Sequence, residues 1–162
     1  MSQSLLKVDD LKVEFDTYGG VVQAVRGVSF AVESGKTLAI VGESGCGKSV
    51  TVQSMMGLIP MPPGRIVSGT AHLQGVDIIG RKEIDGRDIR GREIGMIFQD
   101  PMTSLNPTMS IGDQIAEPLL VHSGYSKKQA FARAVELLDM TRIPEAAKRA
   151  RQYPFEFSGG ML

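Results

Sequence analysis

At 162 residues with 42% hydrophobic side chains, the chain has the length of one ordinary domain and enough apolar material for a core. Eighteen basic and eighteen acidic residues cancel, which excludes a whole-molecule field that would recruit nucleic acid or an anionic membrane. A single cysteine, Cys46, excludes an internal disulfide and a cysteine-cluster metal site, and the two distant histidines, His72 and His122, have no ligand spacing.

The opening "MSQSLLKVDD" lacks the basic-then-apolar build of a signal peptide, and no run approaches the roughly 18 apolar residues that would span a bilayer. The expected location is therefore cytoplasmic. Alternation marks two early strands, one through Val8, Leu11, Val13 and Phe15 and one through Val28, Phe30 and Val32, with "TYGG" and "ESGK" as turns. A continuous apolar run, "TLAIVG" over Thr37–Gly42, predicts a strand buried on both faces. A glycine-rich loop follows, and Val50, Val52, Met55 and Met56 continue as a helix ending near Gly57, before "PMPPG", which suits neither helix nor central strand.

Farther on, "GTAHLQGVDII" reads as an edge hairpin around a Gly-Val-Asp turn, and the charge-dense stretch Arg81–Glu93 reads as a solvated surface segment. The run "IGMIFQ", Ile94–Gln99, predicts a second buried strand with Gln99 at its exit. From Asn106 the character turns helical. Ser110 with Asp113 is an N-cap signature, and Ser126 with Gln129 opens a second helix whose Phe131, Ala134, Val135 and Leu138 share one face.

The chemistry concentrates in "GESGCGKS", Gly42–Ser49, which satisfies G-x-x-x-x-G-K-[ST] between a predicted strand and a predicted helix. Glycines let the backbone curl so that N–H groups face one point, and a helix N-terminus adds positive potential where phosphate charge would lie. Lys48 would reach the β- and γ-phosphates, and the Ser49 hydroxyl would ligate Mg²⁺. Cys46 is read as a small residue that fits the loop, because such a loop needs no nucleophile of its own. Such a loop alone leaves kinases, GTPases, motors and transport ATPases open. Three features narrow it: Gln99 leading into "DPMTSLNP", "FSGG" after a helical insert, and an aromatic, Phe15 or the nearby Tyr18, in or beside a strand that could fold over an adenine.

Together these residues resemble the ATP-binding subunit of ABC transporters, with Walker A at "GESGCGKS", the Q-loop at Gln99 and the signature at "FSGGM". The wording "MIFQDPMTSLNP" and "YPFEFSGGM" is similar to the oligopeptide, dipeptide and nickel import branch, although Phe155 stands where that branch typically has histidine. The resemblance implies an α/β fold: a P-loop NTPase-type core with an antiparallel β portion and a helical subdomain. It divides the chain into a nucleotide-binding core over about residues 1–100 and a helical subdomain over about 101–162. It implies ATP and Mg²⁺ as cofactors. Phe15, Gly42, Ser44, Gly45, Cys46, Gly47, Lys48, Ser49 and Val50 would hold the nucleotide, Ser49 and Gln99 the metal, and Gln99 would also orient the attacking water.

It further implies a head-to-tail pair of such subunits, homo- or heterodimeric, in which Ser158, Gly159 and Gly160 serve the partner's nucleotide. Permease subunits would hold the pair at the inner face of the cell membrane. Relatives continue past the signature with a Walker B strand ending in Asp-Glu and a switch histidine, so the expectation is an N-terminal portion truncated before that strand and inactive alone. The alternative is a catalytically silent module that binds nucleotide or transporter partners without turnover.

Overall fold

The computed structural model describes residues 4–79 and 89–162. They belong to two compact units that divide between Arg87 and Asp88. The first is built on strands β1 (Ser4–Thr17), β2 (Gly20–Glu33), β3 (Gly64–Leu73) and β4 (Val76–Asp77), all antiparallel, in the order β2-β1-β3-β4. β1 is central because it carries the apolar stripe: Val8, Leu11 and Val13 are buried, with Val25 and Ala71 from the flanking strands.

The step of three from Val8 to Leu11 breaks strict alternation and would turn Leu11 to the wrong face. A bulge repairs it. Pairing of β1 shifts register between Val8 and Leu11 against β2 and between Asp9 and Lys12 against β3, with Asp10 at φ 44°. The extra residue restores the inward face for Leu11 and Val13.

The edge hairpin forms as expected, although its tight turn is Gln74–Gly75, both at positive φ (51° and 82°), and Val76 and Asp77 already belong to β4. Helix α1 (Lys48–Met55) ends at the expected place and buries Thr51, Ser54 and Met55. Met55 and the following Ile59 join the sheet's core.

Two strands expected from the sequence are absent. Thr37–Gly42 adopts no regular structure, and its Leu38, Ile40 and Val41 are exposed, Val41 by 86%. Ile94–Gln99 likewise forms no strand; Ile94 makes only an isolated parallel bridge to Arg90, and Ile97 is 98% exposed. A strand exists only when a neighbour completes its hydrogen-bond ladder, and a run apolar on both faces needs cover on both. Among the described residues neither segment has that neighbour. The surface segment expected over Arg81–Glu93 lies, through residue 88, outside the described residues.

The second unit is helical: α2 (Pro101–Ser104), α3 (Ile111–His122), α4 (Lys127–Met140), α5 (Ala146–Arg149) and a 3₁₀ turn at Pro154–Glu156. Both predicted caps form. The Ser110 side chain accepts from the Asp113 amide, and Ser126 and Gln129 make a reciprocal capping box. Ala116, Ala130 and Ala134 are buried between α3 and α4, small enough to let the helices approach closely. Ile111, Leu138, Ala146 and Ala150 form a second cluster, with Leu105, Phe131 and Phe157 packed on it.

Candidate functional site

The loop Gly42–Ser49 leads directly into α1, as the motif requires. Gly47 is the helix N-cap at φ 91°, a left-handed conformation in which a side chain would be strained. A Cβ there would also collide with the Ala24 carbonyl of β2, so glycine lets the loop lie against the sheet. The Gly47 carbonyl accepts from the Thr51 amide (2.8 Å) and hydroxyl (2.9 Å), which fixes the first turn of α1. The loop is thus anchored on one side by the sheet and on the other by a helix whose Met55 sits in the core.

Lys48 turns back over this loop. Its Nζ donates to the carbonyls of Gly42 (2.8 Å) and Glu43 (2.6 Å) and lies 3.5 Å from Cys46 Sγ. Neutral carbonyls hold the ammonium at the loop without cancelling its charge, so the cation is positioned for an anion there. Glu43 is not legible as a site residue in the sequence, because it contributes a backbone oxygen that its side chain does not advertise. Ser44, Gly45 and Cys46 are exposed on the loop, Ser49 is exposed on the first turn of α1, and Val50 packs toward the sheet core.

No acidic residue stands in the first turn of α1 to compete with an incoming phosphate. The donor set therefore fits a polyphosphate. For Mg²⁺ the fit is partial: Ser49 supplies one hydroxyl, and among the described residues no group of three or more His, Cys, Asp or Glu could hold a metal. A hard cation with so few protein ligands would have to arrive with phosphate oxygens.

Phe15 lies on the same unit as the loop, opposite Val22 of β2 and Gly64 of β3. Its ring is half-buried against the core and close enough to Gly64 that a Cβ there would meet Cε1 at 3.0 Å. Tyr18, at the β1–β2 turn, is fully exposed. The residues flanking Phe15 are tied across the sheet: Arg65 donates to Glu14 at 2.7 and 3.2 Å and reaches Asp16 at 4.0 Å. The Glu14 hydrogen bond, then the charges of Asp16 and Glu14, hold the Arg65 guanidinium above its ordinary pKa.

Gln99 and the signature residues belong to the helical unit. Gln99 is exposed at a bend, two residues before α2. Ser158, Gly159 and Gly160 are exposed in a turn closed by the Met161 amide donating to the Ser158 carbonyl (2.8 Å). A Cβ on Gly159 or Gly160 would meet nothing within 4 Å, so there is open space beside this backbone. Just upstream, Tyr153 and Phe155 stack with centroids 5.7 Å apart. Phe155 at the atypical position thus makes its own aromatic contact. Among the described residues, no helix is long and apolar enough to cross a membrane.

The chain is 58% identical over 157 residues to the oligopeptide transport ATP-binding protein OppD of Bacillus subtilis, covering 97% of this chain and 44% of that protein. It is 51% identical over 159 residues to the dipeptide transport ATP-binding protein DppD of the same organism, covering 98% of this chain and 48% of that one. OppD of Escherichia coli is 48% identical over 160 residues, covering 99% of this chain and 47% of that protein. The chain thus spans about half the length of the curated relatives it matches.

The fold resembles a dimeric ATP-binding cassette, MJ0796, bound to ADP and Pi, with a TM-score of 0.80 at 22% identity over 96% of this chain and 64% of that one. The expected fold class is confirmed by that match. The ABC transporter family matches residues 25–162, from β2 through the loop, Gln99 and the glycine turn, and the chain belongs to that family.

Proposed function

We propose that the chain is the nucleotide-binding portion of an ATP-binding subunit in a peptide-type ABC importer, where ATP binding and hydrolysis drive movement of a small peptide across the membrane. The observation that carries this reading is Lys48, folded over a loop that is fixed between sheet and helix, with no acidic residue in the first turn of the helix that the loop opens. ATP would lie with its phosphates on Gly42, Ser44, Gly45, Cys46, Gly47, Lys48 and Ser49, with Val50 packing beneath and Phe15 offering a ring edge to the adenine. Mg²⁺ bound with the phosphates would neutralise their charge, held on the β unit by the Ser49 hydroxyl, and the Gln99 carboxamide would orient the attacking water.

Ser158, Gly159 and Gly160 would close on the nucleotide of a second subunit, since a serine hydroxyl and an exposed glycine backbone suit an anion. The names of the relatives, oligopeptide and dipeptide transport ATP-binding proteins, support peptides as cargo; permease subunits at the inner face of the membrane would be the partners. The test uses the whole protein with its membrane subunits in vesicles. ATP-dependent accumulation of a labelled oligopeptide is expected, and should fall to background in Lys48→Ala. Accumulation that ignores ATP, or no preference for peptides over amino acids and sugars, would count against the reading.

A further inference from the structure

Gln114, on the first turn of α3, directs its carboxamide away from the helix and into the loop before it. Its Oε1 accepts from the Asn106 amide (2.9 Å), and its Nε2 donates to the carbonyls of Asn106 (2.9 Å) and Met109 (3.0 Å). Both backbone groups of Asn106 are therefore bound by one side chain, as a neighbouring strand would bind them. The loop is closed from within as well: the Asn106 side-chain oxygen accepts from the Thr108 amide (3.0 Å) and hydroxyl (2.8 Å), and the Met109 amide donates to the Asn106 carbonyl (3.3 Å).

Asn106 is the far end of a short tether whose near end is Gln99. Between them lie one turn of helix, Pro101–Ser104, and Leu105, which packs on the Ile111 and Leu138 cluster. On the other side of Gln99, Met96, Ile97 and Phe98 line an open cleft of about 910 Å³ that Gln114, Leu105 and Ile115 also line. Gln114 thus bonds the loop after Gln99 and shares a cleft with the residues before it. A segment with few regular hydrogen bonds gains its definition from such side-chain anchors, and a glutamine on the first turn of a helix can supply them to the loop that enters it.

We propose that Gln114 is a positioning residue for Gln99: it pins the C-terminal end of the Gln99 tether to α3 and so sets where the Gln99 carboxamide stands. This rests on the role given to Gln99 under Proposed function. It assigns no contact between Gln114 and nucleotide. Misplacement of a catalytic group by about 1 Å can lower a rate up to about 100-fold without altering ground-state binding.

The test compares Gln114→Met, which keeps the side chain's length and removes all of its hydrogen bonds to the loop, with Gln114→Glu, which keeps the acceptor for the Asn106 amide only. In the whole protein with its membrane subunits, Gln114→Met is expected to lower kcat about tenfold while KM and the affinity for a fluorescent ATP analogue stay within about twofold. Gln114→Glu should fall between it and the parent. Combined with Gln99→Ala, Gln114→Met should add nothing further, because both act through one group.

Amide exchange supplies a readout independent of turnover: a peptide spanning 100–109 should exchange at least about tenfold faster in Gln114→Met, with α4 unchanged. Unchanged exchange there, or a rate loss that adds to that of Gln99→Ala, would overturn the proposal while leaving the role of Gln99 intact. Normal turnover in Gln99→Ala would instead remove that role, and the proposal with it.

Discussion

Lys48→Ala is expected to weaken ATP binding about 100-fold, the largest loss that any single substitution in the loop should produce. The ammonium is held by the Gly42 and Glu43 carbonyls at 2.8 and 2.6 Å. These are neutral partners, which phosphate oxygens can replace with a gain in charge complementarity. A hydrogen bond to a charged group contributes about 1.5–3 kcal/mol, and truncation removes at least one such bond together with the only cation the loop carries, hence roughly two orders of magnitude. Lys48→Arg should rescue little, because a planar guanidinium cannot make the same turn over the loop as a compact ammonium. Titration of a fluorescent ATP analogue against the three proteins checks this. Affinity that does not change in Lys48→Ala would remove the loop from nucleotide binding.

Gly69→Ala is expected to destabilise the β unit by about 3 kcal/mol, a large share of the roughly 5–15 kcal/mol that holds an ordinary domain together. Gly69 lies on β3 at φ 103°, which strains any side chain, and it faces the bulge of β1. A Cβ there would sit 2.5 Å from Leu11 Cα and 2.7 Å from the Asp10 carbonyl oxygen, both backbone atoms that cannot yield without opening the sheet. Strain of about 1–3 kcal/mol and overpacking of similar size combine. Gly75→Ala is the control: it shares a positive φ of 82° but meets nothing within 4 Å, so it should lose only about 1 kcal/mol. Urea unfolding of both variants measures the difference. Equal midpoints would mean that the bulge does not need the open space at Gly69.

That bulge also marks how far sequence pattern reached. Alternation located β1 and β2 because a half-buried antiparallel strand writes its inner face in every second residue. The helices were legible from Ser110 and Ser126, whose caps are local chemistry and form as read. The failures share one cause. Thr37–Gly42 and Ile94–Gln99 are apolar on both faces, a pattern whose outcome depends on partners from elsewhere in a chain, and the described residues provide them with none.

At the candidate site the fixed letters of the loop were readable because phosphate chemistry needs those residue types. The Glu43 carbonyl and Gln114 were not. One acts through its backbone and the other through a loop conformation that no local pattern encodes.

The central claim is that Gly42–Ser49 is where this chain receives phosphate. Its most direct test is the response of backbone amide resonances to Mg-ADP. The account predicts that the largest shifts fall on Gly45 through Ser49, that they saturate with one affinity, and that Lys48→Ala abolishes them. Shifts that spare this loop, or that centre on other residues and persist in Lys48→Ala, would contradict it.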